Sequence, residues 1–402
     1  MSSWKECKLG ECIEVINGYA FKSQNFLEEQ IENSLPVVKI KNVANGDVNL
    51  KAVQFHLFDK NLEKYLIQKN DVLIALTGNH PQAITQVVGE VSKYKLGELA
   101  FLNQRVAKIK ARENMSNDFL YYFLKDDASH DYLASQSSGS ANQANISKSD
   151  IENMPISLPP LEEQKAIAEV LSSLDDKIDL LHRQNQTLES LAQTLFRQWF
   201  IEEVKEEWEE VLITDLFEVR DGTHDSPKQK EFGKKLLTSK HILKNKLDFE
   251  SSYFISEEDF EKINQRSIVE QGDILFSMIG TIGLTYLEQS NEIDYAIKNI
   301  GLFKTSQNKK FMYFVYLWLN SSFGVEFIHE NRSGSTQEYI SLGSLRNIIF
   351  NLPNYKIIDL FNEKMEPIFE KINTNMKQIK SLENLRDTLL PKLLSGEISV
   401  KR

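Results

Sequence analysis

The side chains best able to do chemistry in this 402-residue chain are scattered, and their neighbours argue against catalysis. His224, in the run Asp221-Gly222-Thr223-His224-Asp225-Ser226-Pro227, resembles an acid–base group, but a lone loop histidine beside an aspartate is ordinarily a hydrogen-bonding residue. Cys7 and Cys12 make no disulfide framework. With no histidine nearby they match no metal spacing, and the seven histidines have neither zinc spacing nor a partnered cysteine. None of the nine prolines precedes an aspartate, so the start of a common nuclease motif is missing. The Asn-Pro-Pro-aromatic motif of amino-methyltransferases is also missing; Asn153-Met154-Pro155-Ile156 and Asn351-Leu352-Pro353-Asn354 are poor imitations. Gly233-Lys234 lacks the glycine five residues upstream that a phosphate loop requires, and no Gly-x-Gly-x-x-Gly opens a helix. The reading is a chain with no catalytic residue, no metal ligand and no cofactor of its own.

What the sequence shows instead is repetition. The first half runs from Trp4 through Leu66–Asn79 (LIQKNDVLIALTGN), Asn103–Lys110 (NQRVAKIK), Ser138–Ser140 (SGS) and Ile156–Pro159 (ISLP) into a long heptad segment. The second runs from Trp208 through Ile268–Gly283 (IVEQGDILFSMIGTIG), Lys298–Lys304 (KNIGLFK), Ser333–Ser335 (SGS) and Phe350–Pro353 (FNLP) into another. Asp71 falls on Asp273, Gly139 on Gly334 and Pro159 on Pro353. A repeat of about 200 residues is too long for a solenoid and has the size of a domain plus a helix. Two related modules suit a partner with two related halves.

Apolar runs such as Asp71–Leu76 and Asp273–Ile279 have the length and β-branched content of buried strands, and each ends at a glycine turn. Helical patches follow at Asp118–Asp126 and Met312–Ser321, their aromatic stripes read as core. From Leu161, the positions Ile167, Leu171, Leu174, Ile178, Leu181, Asn185, Leu188, Ala192 and Leu195 step alternately by four and three, the seam of a coiled coil. The second seam is Phe361, Met365, Ile368, Ile372, Asn375, Ile379, Leu382, Arg386 and Leu389. Pro159-Pro160 starts the first helix, and Pro367 is expected to leave the start of the second kinked or irregular. Gly396 marks the end of the second helix. The predicted fold class is α/β: two repeated mixed α/β domains joined by two long antiparallel coiled-coil helices, related by a pseudo-twofold axis. The boundaries are 1–160, 161–205, 206–354 and 355–402.

Composition fits a globular chain, 41% hydrophobic and 26% charged, without an apolar stretch near the length needed to cross a bilayer. The opening residues lack a signal-peptide core, so the expected setting is a reducing cytoplasm with no membrane partner. The net charge of −11 is unevenly spread. Residues 161–207 hold eleven acidic against five basic groups, whereas Lys228–Lys246 holds seven lysines and His241 against Glu231 alone. A second basic run is Arg105, Lys108, Lys110 and Arg112. Basic runs in both modules favour phosphate contact.

With the Asn17–Ser23 opening (NGYAFKS), the Asp-Val/Ile-Leu strand ending in glycine, the Ser-Gly-Ser loop and Leu158–Asp179 (LPPLEEQKAIAEVLSSLDDKID), the chain resembles the specificity subunit of a Type I restriction-modification system along essentially its whole length. The Leu-Pro-Pro-Leu-Glu-Glu-Gln segment carries most of that resemblance; in the second repeat it degrades to Leu352–Phe361 (LPNYKIIDLF). The resemblance implies two target-recognition domains, each reading one half of a bipartite, asymmetric DNA site. It implies helices that act as a ruler for the spacer, and two methyltransferase (modification) subunits docked on them. S-adenosylmethionine, ATP and Mg are then expected on partner subunits, with restriction subunits able to join.

Base edges in the major groove are told apart by Arg or Lys on guanine and by Asn or Gln on adenine, while Ser and Thr fix register on phosphates. The candidates are Lys22, Asn79, Gln104, Arg105, Ser138, Asn142 and Gln143 in the first module. In the second they are Thr223, His224, Lys240, Thr281, Asn299, Arg332, Ser335 and Gln337. The rival reading is a two-domain scaffold that binds protein and no DNA; an enzyme in its own right fits less well.

Overall fold

Aspartates 71 and 273 recur because of how each main strand is entered. In the computed structural model, which describes residues 4–44, 47–79, 88–140, 143–203, 208–335 and 337–400, each Asp closes a tight turn. Gln68 donates its N–H to the Asp71 carboxylate at 2.8 Å, and Glu270 does the same to Asp273 at 2.8 Å. The residue before each Asp has positive φ, 75° at Asn70 and 95° at Gly272. Asparagine and glycine are the residues that tolerate this conformation best.

The strands that follow, Val72–Ala75 and Ile274–Ser277, are buried on both faces. Alternate side chains go to different cores, as the two-residue period of a strand requires. Val72 and Ile74 pack with Phe119 and Leu120 from helix Asn117–Lys125, while Leu73 packs with Val38 and Leu102. In the second module Ile274 and Phe276 pack with Phe314 and Val315 of helix Met312–Leu319, while Leu275 joins Leu237 and Ile297. This double burial is why both segments read as continuous apolar runs.

The two modules share the wiring of their central strands. The main sheet of the first has the order Ile13–Asn17, Val106–Ala111, Val72–Ala75, Val91–Lys93, Asp47–Val48, Val43–Ala44. That of the second is Val219–Asp221, Ile300–Phe303, Ile274–Ser277, Thr285–Leu287. A smaller sheet joins Gln54–Leu57, Ser34–Val38, Ala100–Leu102 and Leu66–Ile67 in one module, and Tyr253–Ile255, Lys234–Thr238 and Tyr295–Lys298 in the other. In each module the first strand pairs antiparallel with the last: Lys5 lies opposite Leu158, and Glu209 opposite Leu352.

The Leu-Pro-Pro-Leu-Glu-Glu-Gln segment docks the first long helix, Leu161–Arg197, on its module. Gln164 is fully buried; its Nε2 donates to the carbonyls of Pro159 (2.9 Å) and Asn114 (3.1 Å), and its Oε1 accepts from the Ser116 N–H (2.7 Å). Trp4 Nε1 donates to Glu163 at 3.1 Å. The helix ends in a wider turn, Gln198–Glu202, and residues 204–207 lie outside the described ones. The second long helix runs from Tyr355 to Leu394 without a break at Pro367. Proline removes one N–H donor there, and Phe361, Met365, Ile368 and Phe369 are held in the core on either side of it. Gly396, at φ 72°, donates its N–H back to the Leu393 carbonyl and ends the helix.

By contacts the chain divides into two units, Met1–Asp179 with Ile379–Arg402, and Leu180–Gln378. Within the first unit, Ile167 and Leu171 share a core with Leu390 and Leu393, and Asp175 meets Arg386 at 2.9 Å. Within the second, Phe196 packs on Phe361 and Asn185 meets Asn375. In both units the pairing is antiparallel. The predicted seam residues Ile167, Leu171, Ile178, Leu181, Asn185, Phe361, Met365, Ile368 and Ile379 are buried; Leu174, Leu188, Leu195, Ile372, Leu382 and Leu389 are half-buried.

Candidate nucleic-acid interface

Three segments of the first module leave the main sheet at one edge. Asn17, at the end of its strand, lies opposite Ala107, and Val106, at the start of the neighbouring strand, lies opposite Ala75, at the end of the third. The segments beyond, 18–22, 76–79 and 103–105, therefore begin side by side. Backbone hydrogen bonds lock them: Gly18 N–H to Val106 O (3.0 Å), Tyr19 N–H to Leu102 O (2.8 Å), Gln104 N–H to Tyr19 O (2.9 Å) and Leu76 N–H to Arg105 O (2.9 Å). A Cβ on Gly18 would sit 2.1 Å from the carbonyl oxygen of Asn103, so the crossing requires glycine. Thr77–Gly78 then continues into a three-stranded sheet with Gln143–Asn145 and Ser138–Ser140.

The second module builds the same edge. Asp221 lies opposite Gly301, and Ser277 opposite Ile300. Gly222 N–H donates to Ile300 O (2.9 Å), Thr223 N–H to Ile297 O (3.0 Å) and Asn299 N–H to Thr223 O (3.2 Å). A Cβ on Gly222 would lie 2.4 Å from the Ile297 carbonyl oxygen. Past Ser277, Ile279 bridges Tyr339 of the hairpin formed by Arg332–Ser333 and Tyr339–Ile340. One difference is a matter of length. Three residues, Asn103 to Arg105, stand where the second module has two, Lys298 and Asn299, so Arg105 has no counterpart.

This edge gathers most of the residues singled out from the sequence. In the first module Gln104 and Arg105 are exposed on the crossing, Asn79 is half-buried beyond Gly78, and Ser138 is exposed on the small sheet. Lys22 is exposed just past the 18–21 segment, as the residue leading into the turn Ser23–Asn25. Gln143 pairs by its backbone with Ser140, and Asn142 lies outside the described residues. In the second module Thr223, His224 and Asn299 meet at the crossing. Thr281 is exposed, its carbonyl accepting from Ser277 Oγ at 2.6 Å. Arg332, Ser335 and Gln337 are exposed on the hairpin, where Arg332 pairs with Glu338 at 3.2 Å.

Lys240 sits in a turn beside the crossing, Ser239–His241. His241 is fully buried there, and its Nδ1 accepts the Thr238 N–H at 2.8 Å. Burial, with Lys240 adding to it, holds the imidazole below its usual range. The first module has the same turn with Asn42 in place of His241: Asn42 Oδ1 accepts the Lys39 N–H at 3.0 Å. Lys41 thus stands where Lys240 does, a lysine that reading the sequence missed although the two strand-plus-turn segments, Pro36–Val43 and Lys235–Ile242, carry the signal. Tyr19 was missed as well. It is 38% exposed, packs edge-on to Phe21 and touches Tyr65.

The second crossing also holds a polar cluster hidden from the sequence. Asp221 is buried at the end of its strand and forms an ion pair with Arg266 of helix Glu257–Ser267. His224 Nε2 lies 2.9 Å from Asp221 Oδ2, and its Nδ1 lies 2.8 Å from Asn299 Oδ1. His224 is thus a hydrogen-bonding residue tied into the edge. Among the described residues no group of three or more His, Cys, Asp or Glu is placed to hold a metal ion, and no helix is long and apolar enough to cross a membrane.

The same loop-bearing edge, closed by a glycine crossing, thus recurs in both modules. The chain belongs to the family of the Type I restriction modification DNA specificity domain, whose model matches residues 1–190 and again 205–384. It is a DNA-recognition subunit of the Type I restriction-modification class. It is 26% identical to the Type I restriction enzyme MjaIX specificity subunit of Methanocaldococcus jannaschii, over 100% of this chain and 97% of that protein. It is 22% identical to the EcoKI specificity subunit of Escherichia coli, over 99% and 90%. The crystal structure of the Type I S subunit from M. genitalium shares the fold, with a TM-score of 0.57 at 16% identity over 98% of this chain and 96% of that one.

Proposed function

We propose that each module reads one half of a bipartite, asymmetric DNA site through the loops at its glycine crossing, and that the two long helices set the spacer between the halves. The observation that carries this reading is the duplicated edge. The same backbone frame, closed at Gly18 and at Gly222, presents different side chains: Tyr19, Gln104 and Arg105 in one case, Thr223, His224 and Asn299 in the other. A common frame with dissimilar contact residues suits half-sites of dissimilar sequence. Residues 1–160 and 206–354 are the reading modules, 161–205 and 355–402 the helical frame. Lys22, Lys41 and Lys240 on the flanks are placed to meet phosphates, which would fix register before any base is read.

The chain supplies recognition, and the chemistry is assigned to partners. Two modification subunits, carrying adenine methyltransferase activity and S-adenosylmethionine, dock on the helices; restriction subunits using ATP and Mg join the same assembly. With a net charge of −11, the chain needs those partners to share the clamping of the DNA backbone. A cytoplasmic location follows from that role.

The test is direct detection of methylated adenine in host DNA with and without the gene. Loss of a split motif with a fixed gap on deletion is the expected result. An unchanged methylation pattern in a host that expresses the modification subunit would favour the protein-binding scaffold instead.

A further inference from the structure

Resting on that reading of the second module, we propose that Asn299 reads one base of its half-site and that Asp221, Arg266 and His224 are positioning residues that decide which end of the Asn299 amide faces the DNA. The backbone of Asn299 is held on every side. It sits at φ 52°, its N–H donates to Thr223 O at 3.2 Å, and its carbonyl accepts from Ser239 Oγ. Its side chain is held too, by His224.

The chain of contacts runs outward from the protein. Arg266 and the buried carboxylate of Asp221 form an ion pair, and Asp221 Oδ2 lies 2.9 Å from His224 Nε2. His224 Nδ1 lies 2.8 Å from Asn299 Oδ1. One ring nitrogen of His224 thus lies against the Asp221 carboxylate and the other against the Asn299 amide. One end of the Asn299 amide is thereby used, which leaves the other end as its reading group. An asparagine with both ends free matches adenine, whose N7 accepts and whose N6 donates. An asparagine with one end engaged cannot make that bidentate pair and reads a single kind of base-edge group instead. The first module has no such device, because Asn17, Ala20 and Gln104 hold the corresponding places.

The experiment uses the chain assembled with its modification subunits and a set of DNA duplexes in which each position of the wild-type split motif is varied in turn. His224→Ala frees the amide, and Asn299→Gly removes it while keeping a residue suited to positive φ. Both are expected to cut discrimination about tenfold at one and the same base pair of one half-site, leaving the other half-site untouched. Asn299→Asp, which removes the amide donors, should change the preferred base at that pair. Arg266→Lys should retain discrimination that Arg266→Ala loses. Uniformly lowered methylation of all duplexes, or no change at any position, would overturn the assignment while the half-site reading stands. A wild-type complex that methylates no split motif would overturn both.

Discussion

Asn185 and Asn375 face each other inside the second unit, Asn375 Nδ2 donating to Asn185 Oδ1 at 2.8 Å, in a seam whose neighbouring layers are apolar. Both residues are buried, and among the described residues neither Asn185 Nδ2 nor Asn375 Oδ1 has a partner. Such a pair costs stability and defines register. Asn375→Leu alone strands the Asn185 amide and should destabilise the chain by about 1–3 kcal/mol, whereas Asn185→Leu with Asn375→Leu should be neutral or stabilising. Thermal melts of the two variants check the sign; a double variant less stable than the single one would contradict it.

Gly18→Ala and Gly222→Ala each place a methyl group against a backbone carbonyl at the crossing. Each should cost about 1–3 kcal/mol and disturb the loops of its own module. In the assembled complex, Gly18→Ala should impair one half-site and Gly222→Ala the other, as read by methylation of duplexes carrying single half-site changes.

Arg105 is exposed on the crossing, and the second module has no residue in its place. If it reads guanine, Arg105→Ala should weaken one half-site by about 1–3 kcal/mol and relax one base position. Equal weakening on every sequence, with a shallower dependence on salt, would make it a phosphate contact.

Burial depresses the pKa of His241, so the unfolded chain takes up the proton first. The associated stability is complete above the ordinary histidine range, near pH ~6.5, and is lost as the pH falls below it. His241→Asn copies the Asn42 turn of the first module, with an amide oxygen in place of Nδ1 as acceptor. The melting temperature of the wild type relative to this variant should therefore drop between pH 7.5 and 5.5. A constant difference would exclude His241 as the source.

Adding one heptad, about 10 Å of helix, to each long helix should lengthen the gap in the methylated motif and leave both half-sites unchanged. An unaltered gap would remove the ruler from the proposal.

The sequence was most legible where local rules and burial agree. The apolar runs after Asp71 and Asp273, the helix start at Pro159-Pro160 and the two seams all show in their spacing, because each depends on neighbours a few residues away. Glycine-marked loops pointed to the stretches of chain that gather at the edge of each main sheet. The cluster around His224 was out of reach, since Arg266 arrives from a helix some forty residues on and Asp221 lies hidden at a strand end. Lys41 escaped because its equivalence to Lys240 rests on a turn in which asparagine and histidine play one role. The continuous helix through Pro367 shows packing outweighing a local preference.

The pairing of Lys5 with Leu158, and of Glu209 with Leu352, brings the entrance and exit of each module to one doorway. Whatever lies between can be lengthened, shortened or rewritten without pulling on the helix beyond, because both ends stay tied to each other. Evolution can therefore treat the interior of a module as an exchangeable cartridge. A new half-site vocabulary would then need no change in the frame that carries it.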